Sequence, residues 1–457
     1  MGSLLLKGGT VWTSESVVEA DVFVDGGIVR AIGSGLSQQA DREIDVAGRI
    51  LIPGGVDVHT HLDAPVGGTT TADDFESGTT AAACGGTTTI VDFATQAKGQ
   101  TLQETVDTWH RKATGKAVVD FGFHLSITDL YRDAIADLGT VVRGGITSFK
   151  VFMGYPGTLM LNDGEIYRVM QAGARHGAQV CVHAENGFII DRMAEDLMAQ
   201  GKRGPESHAL SRPPSTEAEA VSRAIRIARM ADAPLYFVHL STESAALALS
   251  EAQATGMPVA GETCTHYLTL DESLYRAPGF EGGKAVLTPP LRGAVDRDAL
   301  WRGLRTGSLS VVSSDHCPFC FAQKKAGIDD FRLIPNGGPG IEHRLQLMYA
   351  EGVVKKRLTP QQFVHLTSTS PAKAFGLYPE KGTIAVGSHA DITVLDPDGS
   401  TGISRDTHNM NVDYSLWEGW NLPGRVDRVF LRGDEIVRDG KFRGRAGSGQ
   451  YLSRKTV

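Results

Sequence analysis

A chain of 457 residues is too long for one ordinary core, so a large domain with a smaller companion is expected. The hydrophobic share of 41% and the charged share of 21% describe a soluble globular protein. Lys plus Arg number 45 against 53 Asp plus Glu, a formal net charge of -8, and no basic run exceeds Lys355-Lys356-Arg357, which excludes nucleic acid as a natural partner.

Met1 to Lys7 has neither a basic leader nor an apolar core of signal-peptide length, and no later stretch approaches about 18 uncharged apolar residues. No membrane contact and a cytoplasmic location are therefore expected. Residues 1–55 are short alternating segments, such as Leu4 to Leu6, Asp21 to Val24 and Ile28 to Ile32, broken by turns at Asp25-Gly26-Gly27 and Ala47-Gly48-Arg49. They predict a small antiparallel β unit with too few strands to bury a face alone. Residues 379–440 hold matching runs, Ala390 to Asp396 and Val426 to Val437, so the two termini are expected to pair into one β-sandwich, with a tail over 441–457.

Between them, over 56–378, apolar strand-like runs alternate with helical stretches, which predicts an α/β parallel architecture. Eight runs are expected: Val56 to His61, Thr87 to Ala94, Val118 to Ile127, Ile146 to Met153, Ala178 to Glu185, Pro234 to Ser241, Val259 to Leu268 and Ser308 to His316. Eight such units match the size of a (β/α)8 TIM barrel, whose active sites lie at the carboxyl ends of the strands.

Those ends are chemically loaded. The first run ends in His59-Thr60-His61, and strand alternation would turn Asp57, His59 and His61 to one face. The fourth carries Lys150, the fifth His183, the sixth His239 and the eighth Asp315. One histidine at a strand end is ordinary packing, but four with a lysine and an aspartate at one rim point to a metal site. The five cysteines are an odd, scattered set read as reduced thiols, and Cys317-Pro318-Phe319-Cys320 lacks the second pair of a structural zinc site.

Taken together, His59-Thr60-His61-Leu62-Asp63, Lys150-Val151-Phe152-Met153, His183-Ala184-Glu185-Asn186-Gly187, Gly261-Glu262-Thr263-Cys264, Asp315-His316-Cys317-Pro318-Phe319 and Ile334-Pro335-Asn336-Gly337-Gly338-Pro339 resemble the binuclear amidohydrolase superfamily. The wording is similar to its hydantoinase and dihydropyrimidinase branch. That resemblance implies zinc-dependent opening of a cyclic amide in hydantoins or dihydropyrimidines to N-carbamoyl amino acids. It also implies a homotetramer acting on a small cyclic ureide.

The resemblance further implies a metal set of His59, His61, Lys150, His183, His239 and Asp315, holding two Zn ions bridged by a carboxylated Lys150 and a hydroxide. A buried lysine among imidazoles and dications is driven to deprotonate, and a neutral amine can add carbon dioxide to give a carboxylate-like carbamate. Imidazole-rich ligands suit zinc, with manganese or cobalt as substitutes. Asp315 is implied as the proton shuttle, Tyr155 as the donor to the tetrahedral oxyanion, and Thr288 and Asn336 as positions that hold the ring.

Allantoinase and dihydroorotase share this metal site, but those relatives usually carry an arginine two residues after the second histidine, where this chain has Asp63. Mononuclear deaminases need no bridging lysine, and non-catalytic scaffolds of the superfamily lose metal ligands. His110, His176, His208, His343, His365, His389 and His408 are expected to be surface or capping groups, and His124 and His266 structural strand residues. Where similar hydantoinases carry bulkier gate side chains, this chain has Ala64, Val66 and Leu159, which predicts an open pocket favouring aryl or long alkyl ring substituents.

Overall fold

The β-branched runs form parallel strands because helices cover one face and packed side chains fill the other. In this computed structural model, which describes residues 2–456, they are Gly55–Thr60, Thr87–Thr95, Asp120–Ser126, Ser148–Phe152, Gln179–His183, Leu235–Phe237, Val259–Cys264 and Val311–Ser313. Each pairs with the next in chain order, and a parallel bridge from Thr60 to His316 brings the eighth back to the first, which nearly closes the barrel. The seventh run is shorter than expected: after Cys264 the chain turns into a short helix, Thr265–Thr269, that carries His266.

The first strand departs from simple alternation. Asp57 pairs with Ile90 and Thr60 with Asp92, so three steps on one strand oppose two on the other, as in a β-bulge. Val56 and Val58 join the interior cluster with Phe93, Tyr236 and Val311. His59 follows them inward against the Phe93 ring, 4.6 Å away, while Asp57 turns toward buried Arg344, 3.6 Å from its Nε. Asp57 therefore does not share a face with the two histidines.

The two termini do pair. Ile392–Gly402 lies antiparallel to Ile50–Pro53, joining both halves into one nine-stranded sheet. The sheet is mixed rather than antiparallel throughout, because Leu4–Trp12 has two parallel neighbours, Arg42–Asp45 and Ile50–Pro53. Its own core draws Leu6, Val22 and Leu51 from one half and Ile392, Val394 and Phe430 from the other. Between Gly402 and Asn421 the chain leaves this sheet for the barrel, where Trp417 Nε1 donates to Thr269 and Asn411 N to Asp73.

Past the sheet, the tail runs along the chain's own barrel. Phe121 N donates to Gln450 O, Leu452 N to Phe121 O and Arg454 N to Gly145 O. Arg454 is buried and also donates to Ser148 Oγ at 2.7 Å. Barrel, sheet and tail meet at one polar network: Lys381 Nζ lies 2.6 Å from both Asp120 and Asp391, Asp120 also pairs with Arg432, and Gln450 N of the tail donates to Asp120 at 2.8 Å. No helix among the described residues is long and apolar enough to cross a membrane.

Candidate metal centre

The barrel strands deliver His59, His61, Lys150, His183, His239 and Asp315 to one cavity of about 570 Å³, which Tyr155, Thr288 and Asn336 also line. Asp315 Oδ1 lies 3.1 Å from His59 Nε2 and 3.4 Å from His61 Nε2. Across the cavity, His183 Nδ1 is 3.0 Å from His239 Nε2. The His59 and His239 rings, 5.2 Å apart, connect the two groups.

The hydrogen bonds at the back of each ring decide what its front can do. His183 Nε2 lies 2.9 Å from the Glu185 carboxylate, which assigns the ring proton there and leaves a lone pair on Nδ1. Burial holds the His239 pKa well below the usual histidine value. The two facing nitrogens, 3.0 Å apart in a buried site, are close enough to share one cation. His59 likewise sets Nδ1 against the Glu262 carboxylate and Nε2 toward Asp315. This donor chemistry fits a pair of dications.

Lys150 is buried, with its Nζ 4.6 Å from the Phe93 ring centre and 5.0 Å from that of Phe152. Burial pulls its pKa down to about 8, so a neutral amine is within reach near neutral pH. Burial also opposes ionisation of Asp315, but His59 and His61 outweigh it and hold the carboxyl below the usual carboxylate range. Burial pushes the Tyr155 phenol up to about 12, which keeps its hydroxyl proton available to donate. Tyr155, His239 and Asp315 have positive φ of 63°, 41° and 46°, left-handed backbone that costs energy and gathers at functional sites.

A second group of donor side chains, Cys264, His266 and Asp315, shares the aspartate. Burial keeps the Cys264 thiol far above its ordinary pKa, so it is a poor ligand beside the imidazoles. Of the three pocket positions, Val66 and Leu159 line the cavity, whereas Ala64 is buried behind it with 1% exposure. Leu333, Ile334 and Pro335 also line the cavity.

Sequence reasoning missed the residues that hold the ligands. Glu262 takes His59 Nδ1 and the Tyr236 hydroxyl, and Glu185 takes His183 Nε2. Both stand in quoted motifs, and a carboxylate two residues after His183 was the available signal. His208, expected at the surface, is buried: its Nε2 donates to Leu287 O at 2.8 Å, and its Nδ1 accepts from Arg212 at 3.2 Å. His343 is also buried. His124, as expected, is structural: it spans Val58 O and Ser148 Oγ inside the barrel.

Residues 50–436 match the Amidohydrolase family. The chain is 47% identical to a D-hydantoinase of Geobacillus stearothermophilus over 98% of this chain and 96% of that one. It is 46% identical to a D-hydantoinase of Streptomyces coelicolor, over 99% and 98%. Among solved structures, a dihydropyrimidinase from Brevibacillus agri superposes with a TM-score of 0.98 at 48% identity, covering 99% of each chain.

Proposed function

This chain belongs to the amidohydrolase family, and from that premise we propose that it is a cyclic amidohydrolase with a binuclear zinc centre, opening hydantoins or dihydropyrimidines to N-carbamoyl amino acids. Its relatives support cyclic amide hydrolysis. The observation that supports a metal centre is the convergence of His59, His61, Lys150, His183, His239 and Asp315 on one cavity, with His183 Nδ1 and His239 Nε2 3.0 Å apart.

His59, His61 and Asp315 would hold one ion and His183 and His239 the other, with Lys150 as a carbamate between them. Bound there, two dications lower the pKa of shared water and polarise the substrate carbonyl. Asp315, placed against both histidines, takes a proton at a carboxylate oxygen as water adds to the carbonyl carbon. It returns that proton to the ring nitrogen as the C–N bond breaks, so the amide becomes a carboxylic acid and a free ureide nitrogen. Tyr155 donates its hydroxyl to the developing oxyanion, a role worth about 3 kcal/mol. Thr288 and Asn336 hold the ring beside it.

Asp63 does not reach for substrate: its carboxylate lies 3.8 Å from Lys112 Nζ. This favours hydantoins and dihydropyrimidines over dihydroorotate, whose carboxylate needs a cation. We further propose a cytoplasmic homotetramer, as the resemblance of its motifs to the hydantoinase and dihydropyrimidinase branch implies. The test is a panel of hydantoin, dihydrouracil, allantoin and dihydroorotate with zinc-loaded protein. Turnover of the first two supports the assignment, and turnover of dihydroorotate alone refutes it.

A further inference from the structure

Lys324 is a fully buried cation that the chemistry above leaves unused. It ends the short helix Phe321–Lys324, and its Nζ lies 2.7 Å from Val286 O, 2.7 Å from Pro335 O and 2.6 Å from Gly337 O. Three N–H groups of an ammonium meet three carbonyls. No carboxylate among the described residues pairs with it.

The carbonyls belong to two segments. Val286 stands two residues before Thr288, and Pro335 and Gly337 flank Asn336, the two positions assigned to hold the ring. Gly337 N also donates to Val286 O at 3.1 Å, so the segments touch where Lys324 binds them. The preceding residue works at the cavity mouth: Gln323 Nε2 donates to Thr69 Oγ1 at 2.7 Å and Thr70 O at 2.8 Å, on the hairpin that carries Pro65 and Val66.

We propose that Lys324 is a positioning residue of the ring-binding site, its ammonium fixing the spacing between the Thr288 and Asn336 segments so that a cyclic ureide fits between them. The proposal rests on the cyclic amidohydrolase reading. Because those segments would hold the ring in the ground state and the transition state alike, their loosening weakens binding more than turnover. Burial pulls the Lys324 pKa down to about 7, and the three close carbonyl oxygens favour the charged form.

The test uses full-length, metal-loaded wild type, Lys324→Met and Lys324→Arg. The expected result for Lys324→Met is a KM for hydantoin raised about tenfold with kcat changed less than about threefold. Metal content should be unchanged, and amide exchange faster over residues 286–288 and 335–338 but not over Ser148–Phe152. An unchanged KM with unchanged exchange overturns the proposal. If wild type turns over no member of the panel, the functional reading fails and exchange alone decides the clamp. If Lys324→Met does not fold, Lys324→Arg is judged by the same two readouts, since a planar guanidinium cannot converge three N–H groups on these carbonyls.

Discussion

His183 Nδ1 lies 3.0 Å from His239 Nε2 in a buried site, with the Glu185 carboxylate against the far nitrogen of the His183 ring, so the two facing nitrogens are placed to share one cation. Metal should therefore act as a folding ligand. Removing it with a chelator should lower the thermal midpoint, and zinc should restore it. A free metal concentration of about a hundred times Kd corresponds to about 2.7 kcal/mol of added stability. Scanning calorimetry of chelated and reloaded protein checks this.

Lys150→Ala should lose most bound metal and activity, and a short-chain carboxylic acid should recover part of both by standing in for the bridge. Asp315→Asn should fold but lose turnover by about 10² to 10⁴, because an amide cannot shuttle the proton. Metal analysis beside steady-state kinetics separates the two effects.

Glu185→Gln tests the support behind His183. The amide no longer fixes which nitrogen carries the proton, so metal affinity should fall about 10- to 100-fold while the fold persists. Competition with a chromogenic chelator measures it.

The Asp120, Lys381, Asp391 and Arg432 network should govern stability without touching catalysis. Asp120→Asn leaves buried Lys381 and part-buried Arg432 each short of a partner and should cost about 3 to 5 kcal/mol, with KM unchanged. Burial works against ionisation of Asp120, but Lys381 and Arg432 outweigh it and hold its pKa below the ordinary 3.8. Its contribution is thus present above pH 3.8 and lost as pH falls through the lower folded value. Denaturant titrations of wild type and variant between neutral pH and about pH 3 should converge toward the acid end.

Leu159→Phe should narrow the substrate range, since Leu159 lines the cavity. Ala64→Met should instead disturb packing, because Ala64 is enclosed behind the wall. If kcat/KM falls steadily along 5-substituted hydantoins from hydrogen to methyl to phenyl, the open pocket is refuted, and Leu333, Ile334 and Pro335 fill it.

The eight barrel strands are legible in the sequence, and strand ends punctuated by His, Lys and Asp single out His59, His61, Lys150, His183, His239 and Asp315, whereas Tyr155, Thr288 and Asn336 stand out only through the family resemblance; all nine line one cavity. What stayed hidden depends on partners far away in the chain. The bulge that separates Asp57 from His59 is set by register against Thr87–Thr95, which strand alternation alone cannot reveal. Glu262 meets His59 across 203 positions, and Lys324 meets Val286 across 38. The tail's place against Phe121 and Gly145 is a matter of tertiary hydrogen bonding, invisible in a stretch with little apolar pattern.

Elemental analysis of the purified wild-type chain, run beside Lys150→Ala, tests the binuclear claim most directly. A binuclear centre predicts about two zinc, or substituting manganese or cobalt, per wild-type chain and a large loss in the variant. A wild-type chain that hydrolyses hydantoins with no bound metal, or a Lys150→Ala chain that keeps both ions, would contradict it.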